Sequence, residues 1–204
     1  MAFTYFFRDQ QALDLIVQYA LPELNRRRYI NIWDAGCAMG PEPYSLAITF
    51  RENMGHFLFR NLRIHATDIA DDDRFGPAIA GGLFTEVEVG RIPAGILDKY
   101  FTRDLESGGY RILAELRRAV AFQRHDLLSL QPIREELGLI VCKNVLLHFT
   151  PEQRREVVTM FHRALVLGGY FVTEQTQKLP AEAETLFRRV TPSGQLFQKM
   201  AQPT

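Results

Sequence analysis

Residues 34–47, DAGCAMGPEPYSLA, set the tightest limit on what this chain can fold into. An apolar run at residues 29–33 leads in, and a helical pattern at residues 43–51 leads out. Strand, glycine-bearing turn and helix in that order make a nucleotide-binding element. Gly36 and Gly40 bracket the turn. Lacking a Cβ, glycine lets the backbone bend sharply and lets a ligand approach closely. The helix is expected to begin at or near Pro43, because proline is favoured in the first helical turn. Its leading N–H groups would face the ligand. Taken alone, the same two glycines equally fit a plain strand-to-helix turn.

Glu42 narrows the ligand class. A carboxylate at a helix start repels phosphate and suits positive charge. S-adenosylmethionine, with a sulfonium, an ammonium and no phosphate, meets that requirement. A nicotinamide dinucleotide does not.

Leu13, Ile16, Val17, Ala20, Leu21 and Leu24 make an i, i+3, i+4, i+7 stripe, which predicts an amphipathic helix over residues 9–27 with a kink or break at Pro22. Residues 29–34 are the first strand and residues 43–53 the second helix. Leu62, Ile64 and Ala66 alternate with Arg63, His65 and Thr67, a second strand ending at Asp68. An acid there is placed to accept hydrogen bonds from ribose hydroxyls. The competing reading makes Asp68 the cap of a turn or of a helix at residues 74–80. Residues 81–125 break the rhythm. A short helix at residues 93–100 and strand-like segments at 110–113 and 119–124 predict a small antiparallel insertion standing off the main sheet.

Residues 138–142 are a β-branched run ending at Lys143 and Asn144. Open α/β sheets bind ligands at the carboxyl ends of their strands, so both residues are site candidates. Thr150, Pro151 and Gln153 form a strong helix start, with the helix running to about Val166 and stopping at Gly168 and Gly169. A strand at residues 170–173 follows. Residues 187–191 and 196–200 read as an antiparallel hairpin at the sheet edge.

With 204 residues and 47% apolar content, the chain suits one domain with a sizeable core. The formal net charge is zero, which gives no reason to expect a nucleic-acid partner. The basic clusters at Arg26–Arg28, Arg117 and Arg118, Arg154 and Arg155, and Arg188 and Arg189 read as solvated faces. Two cysteines, Cys37 and Cys142, form neither a disulfide framework nor a zinc-type pair, so a reducing cytoplasm is the natural setting. No apolar run spans a bilayer, and no signal-peptide pattern opens the chain. The histidines lack metal-ligand spacing, so no metal is expected, and His65 and His162 read as structural. Neither a nucleophile elbow nor a Walker loop is present.

The segments FFRDQQALDLIVQYALPEL, IWDAGCAMGPEPYSLA, ATDI, YF, CKNVLLHF and LGGYFV occur in that order. Together they resemble the CheR-type chemotaxis methyltransferases, which transfer a methyl group from S-adenosylmethionine to receptor glutamates. The resemblance runs from Thr4 to about Met200. It implies a Rossmann-like class I methyltransferase fold: an α/β domain over residues 1–204 with a mostly parallel sheet, an antiparallel edge hairpin and a small antiparallel β insertion at about 81–125. It implies S-adenosylmethionine as cofactor, S-adenosylhomocysteine as product and a protein acceptor, a chemoreceptor cytoplasmic region. It makes Thr4 and Arg8 residues of the cofactor and acceptor pocket, with Gly36, Glu42, Asp68, Lys143 and Asn144 around the cofactor.

Several positions depart from the family pattern. Ala2 stands where a further polar contact is usual. Asp126, with Leu127, stands where an Asn-Leu pair meets adenine. A carboxylate still accepts from an exocyclic amine, though capping a helix over residues 127–137 is an equal reading of Asp126. Lys143 stands where arginine is common and lacks its planar fork. His148 stands where tyrosine is common, beside the chemistry. The insertion's turn is shorter than in members whose β-subdomain binds a receptor-tail peptide, which weakens that role here. Family members carry a helical domain before FFR, so the chain reads as a shortened or a stand-alone catalytic domain.

A glutamate acceptor is already ionised at neutral pH, with an ordinary pKa of about 4.3, and needs no general base. Arg8 and His148 are the candidates for steering it. Two other functions fit the same residues: a non-catalytic module that binds S-adenosylmethionine as a sensor, and a methyltransferase with another acceptor. Arg8 and His148 facing an open channel favours catalysis.

Overall fold

The computed structural model describes residues 4–69 and 75–201. Ala2 and Arg74, named above, lie outside them. The strap at residues 4–8 leads into α1 (Gln10–Leu15), whose N-cap Asp9 accepts from the Ala12 amide at 3.1 Å. A π-helical turn at Ile16–Ala20 and then α2 (Leu21–Leu24) follow. Pro22 explains the interruption: it has no N–H to donate, and its ring crowds the carbonyl four residues back. The break expected at Pro22 therefore takes the form of a widened turn just before it.

β1 (Ile30–Ala35) is buried on both faces, as a strand inside a parallel sheet is, and is apolar except for Asn31 and Asp34. The turn after it enters α3 (Pro41–Asn53). The helix begins at Pro41 rather than near Pro43, so Glu42 sits within its first turn. α4 (His56–Phe59), β2 (Leu62–Asp68) and α5 (Phe75–Gly81) come next. They are followed by β3 (Leu83–Phe84), α6 (Glu86–Val89), α7 (Ala94–Tyr100), β4 (Phe101–Arg103), β5 (Tyr110–Ile112), α8 (Ala114–Ala119) and β6 (Val120–Arg124).

Two expectations change in this region. Residues 119–124 are not an arm of the insertion: β6 runs parallel to β2 in the main sheet, with Val120 opposite Ile64. The three-stranded antiparallel sheet, in order β3-β5-β4, does not stand off either. Phe84, Phe101 and Ile112 share one core with Phe6 and Tyr44. Phe6 meets the rings of Phe84 and Phe101 edge-on at 4.8 and 5.6 Å. Which sheet adopts a short strand depends on the partner it meets, and strand periodicity does not carry that information.

A 3₁₀ turn at Leu127–Ser129 replaces the helix expected over 127–137. Pro132 opposes helical continuation, and Leu130 has already left it at φ +56°. β7 (Leu137–Val141), a 3₁₀ turn at Leu146–His148 and α9 (Pro151–Ala164) follow. Both halves of the Thr150–Gln153 capping box form. The helix gives way directly to β8 (Leu165–Val172), so Gly168 and Gly169 lie inside a strand and not at a helix stop. Gly168 has φ +75°. The pairing with β7 slips nearby, between Leu137 and Leu139. β9 (Phe187–Arg189) and β10 (Leu196–Lys199) form the expected edge hairpin.

The main sheet runs β6-β2-β1-β7-β8-β10-β9, parallel through β8 and antiparallel beyond it. One face packs Ile30, Ile32, Leu139 and Val141 in a core shared with α1 and α3. The other packs Trp33, Ile140 and Phe171 against Val157 and Phe161 of α9. No helix among the described residues is long and apolar enough to cross a membrane. The chain leaves β1 for β2 on one side and returns to β7 on the other. That reversal opens a crevice at the carboxyl ends of the two strands, where sheets of this kind bind ligands.

Gly36 holds the crevice in shape. Its φ is +101°, and a Cβ there would lie 2.1 Å from Val145 Cγ2. Gly36→Ala should therefore cost about 2–4 kcal/mol, from left-handed strain plus overpacking. Gly95→Ala in α7, where a Cβ meets nothing within 4 Å, should be neutral or stabilising by up to about 1 kcal/mol. Urea unfolding of both variants measures the contrast.

Candidate active site

A cavity of about 660 Å³ opens at that crevice. The four parallel strands on that side of the sheet each deliver residues to it just past their carboxyl ends: Gly36 and Ala38 after β1, Asp68 from β2, His125 to Leu128 after β6, and Lys143 to Val145 after β7. The first turn of α3 adds Glu42, the strap adds Thr4 and Arg8, and the turn after β7 adds Leu147 to Phe149. All ten residues singled out from the sequence therefore line one cavity.

The strap is fastened by its backbone. Phe7 adopts φ +57° and donates its N–H to Ser45 Oγ at 2.9 Å, while Ser45 donates onward to the Pro41 carbonyl at 2.6 Å. Phe6 is buried, and Arg8 is left exposed at the cavity wall. Packing the aromatics and presenting the cation are thus one arrangement.

The turn after β1 is tied to β2. The amides of Gly36 and Cys37 both donate to the Thr67 carbonyl, at 2.8 and 2.9 Å. The amide of Ala38 donates to Asp68 Oδ2 at 2.9 Å, which fixes the carboxylate at the cavity edge. On the far wall Asp126 accepts from the Leu128 amide at 2.8 Å. It caps the 3₁₀ turn and lines the cavity at once.

The floor carries excess negative charge. Lys143 Nζ lies 3.5 Å from Glu42 Oε1, and both side chains are largely buried. Asp34, at the end of β1, is 1% exposed, and neither of its carboxylate oxygens has a hydrogen-bond partner. Burial pushes its carboxyl well above the ordinary 3.8; Glu42 and Asp68 push the same way and Lys143 opposes them. Burial also raises Glu42, against Lys143. Glu174 accepts from the Asn144 amide at 2.8 Å and from Thr173 Oγ1 at 2.7 Å, while its Oε1 is buried without a partner. It holds Asn144 at φ +58°. Sequence reading missed Asp34 and Glu174. The signal for Asp34 was its place directly before the glycine turn. Glu174 had none, because its role depends on β8 lying beside β7.

This donor set fits S-adenosylmethionine. Pro41 and Pro43 remove two of the first three N–H groups of α3, so its N-terminus is a poor phosphate cradle. Glu42 and Asp68 line this part of the cavity against one lysine, and Asp34, buried behind them with neither oxygen hydrogen-bonded among the described residues, adds to the demand for positive charge. Cys37 and Cys142 are buried, and burial first, then the nearby carboxylates, raises both thiols well above their usual range.

A model of the family described as "CheR methyltransferase, SAM binding domain" matches residues 2–194. A chemotaxis protein methyltransferase of Listeria innocua is 33% identical over 172 residues, which are 80% of this chain and 60% of that protein. Chemotaxis protein methyltransferase 2 of Vibrio cholerae is 30% identical, over 81% of this chain and 58% of that protein. A 104.1 kDa protein of Rhodobacter capsulatus, of uncharacterised function, is 32% identical over 82% of this chain but only 18% of its own length. The chain thus spans less than two thirds of each of these three relatives.

The charge on the floor has a consequence for stability. Asp34 binds its proton more tightly folded than unfolded. The stability it lends is complete below the ordinary value of 3.8 and is lost as pH rises through the raised one. Asp34→Asn, neutral at every pH, should match the parent near pH 4 and melt about 2–4 °C higher near pH 8, the shift expected for roughly 1 kcal/mol at this length. Thermal unfolding of the ligand-free proteins across that range checks it; parallel curves would remove the assignment.

Proposed function

We propose that this chain, which belongs to the CheR methyltransferase family, transfers methyl groups from S-adenosylmethionine to glutamate side chains of a chemoreceptor-like protein. The family's cofactor is S-adenosylmethionine. The observation that carries the reading is the gathering of Arg8 and His148 with the carboxylate floor around one cavity at the strand ends. A sensor module needs the floor but has no use for a cation and an imidazole exposed at the mouth.

When bound, S-adenosylmethionine supplies a methyl group activated by a sulfonium. Asp68, already steadied by the Ala38 amide, would take the ribose hydroxyls. Asp126 and Leu127 would flank the adenine. Glu42 and Asp34 would meet the positive charge of the methionine portion, and Lys143 its carboxylate. Methyl transfer is an in-line displacement that needs alignment above all. A carboxylate acceptor arrives ionised, so no side chain has to remove a proton. Arg8 would orient that carboxylate and His148 would donate to it, each steering without quenching its nucleophilicity. The chemoreceptor acceptor is also favoured by the description of two of the relatives as chemotaxis methyltransferases.

Calorimetric titration and a labelled methyl-transfer assay on receptor fragments test the proposal. Asp68→Ala should weaken S-adenosylmethionine by about 1–3 kcal/mol through lost hydrogen bonds; unchanged affinity would sink the ribose assignment. Nicotinamide dinucleotides should show no saturable binding by fluorescence.

The hydrogen bond that His148 would give the acceptor is open to a direct test. His148→Ala should lower the initial rate of transfer to a carboxylate acceptor by about tenfold, and His148→Tyr, which keeps a donor, should recover most of it. Equal rates for His148→Ala and the parent at saturating cofactor would make His148 a packing residue.

A further inference from the structure

The amino ends of the parallel strands, on the edge opposite the cavity, carry a second concentration of charge. A depression of about 750 Å³ is lined there by Arg27 and Arg28 before β1, Arg60 and Arg63 around the start of β2, and Arg134 before β7. A neighbouring depression of about 530 Å³ shares Arg60 and Arg63 and adds Arg118, just before β6. The sequence scatters these arginines over more than ninety positions; the parallel sheet collects them because each precedes or opens a strand.

Among the described residues two carboxylates line this strip. Glu115 is bonded to Arg51 at 3.3 Å, which leaves Glu136 facing the arginines. Among the described residues none of the six guanidiniums forms an ion pair with a carboxylate. Arg134 instead donates to Asn31 Oδ1 at 2.8 Å and approaches His65 Nε2 at 3.4 Å. His65 records the local field: burial lowers its pKa, and Arg134 and Arg63 lower it further. Tyr29 lines the strip, 62% exposed, with the Arg28 guanidinium 5.3 Å from its ring centre.

Six guanidiniums without an ion-pair partner among the described residues give this edge a local positive potential, on a chain of zero formal charge, that attracts an anion. We infer that this strip docks an acidic polypeptide segment, one whose glutamates or aspartates engage the arginines while an apolar side chain rests on Tyr29. All six cations are arginine, whose planar fork matches a carboxylate in two parallel hydrogen bonds. Arginine and tyrosine are also the side chains most enriched at protein interfaces. The two depressions adjoin at Arg60 and Arg63, so one peptide segment can meet the cations of both. A nucleic-acid surface normally accompanies a strongly basic domain, which this is not. The segment belongs to another protein or another domain, and its binding leaves the methyl-transfer cavity open.

The test uses a fluorescein-labelled polyglutamate peptide with a single tyrosine, read by anisotropy. A matched polyglutamine peptide, a short oligothymidylate and phosphatidylserine vesicles are run at the same ionic strength. Polyglutamate should bind saturably and more tightly than the other three, and weaken as salt rises. Arg60→Glu/Arg63→Glu/Arg134→Glu should weaken it by at least about tenfold, as like-charge contact replaces attraction. Arg60→Glu alone, a side chain with no hydrogen bond to lose, should weaken it less but measurably. Cooperative thermal unfolding establishes that each variant is folded. Unaltered binding by a folded variant, tighter binding of oligothymidylate or vesicles, or no saturable polyglutamate binding would each overturn the inference.

Discussion

The contact between Gly36 and Val145 is the constraint on which the rest of the site depends. It lets the Val145 side chain, on the turn after β7, pack directly onto the bare backbone of the turn after β1. The same turn is pinned to β2 by two amides converging on the Thr67 carbonyl. Three strand ends are thereby locked in one plane. Asp68, one residue after Thr67, and Lys143 and Asn144, two and one before Val145, inherit their positions from it. A single methyl group on Gly36 would push apart the two walls of the cavity.

Around that lock the protein tolerates an uncomfortable charge distribution. Asp34 is buried with both carboxylate oxygens unpartnered, beside Glu42, Asp68 and only one lysine. Left alone, such a carboxyl is neutral or costly. The arrangement makes physical sense as one half of a pair whose other half is a cationic ligand. On the function proposed above, a bound cation would relieve that cost, and stability of the empty protein would trade against affinity at the same residue.

The two ends of the parallel strands have opposite electrostatic character, although the whole chain is neutral. Carboxylates gather at the carboxyl ends, where the chain turns into helices and loops that shape the cavity. Arginines gather at the amino ends. A parallel sheet makes this segregation possible, because every strand presents the same end to the same side. Residues far apart in sequence therefore accumulate on one edge merely by preceding or following a strand.

The sequence by itself determined the elements whose signals are local. The glycine turn, the alternation in residues 62–67, the capping box at Thr150 and the edge hairpin were each legible, because a few adjacent residues and the backbone's own geometry suffice to specify them. So were the ten cavity-lining positions, through motif order and their place after strands. The tertiary structure alone decided the rest. It moved residues 119–124 from the insertion to the main sheet, because a short strand belongs to whichever edge it pairs with. It placed Gly168 and Gly169 in a strand, since a glycine that leaves the helical region marks a bulge as readily as a helix stop. It stopped the helix expected at 127–137 after one turn. It also brought Glu174 beneath Asn144 and six dispersed arginines onto one edge. Apart from the helix stop, where Pro132 is a local cause, none of these is encoded by neighbours in sequence; each is a consequence of which strands lie side by side.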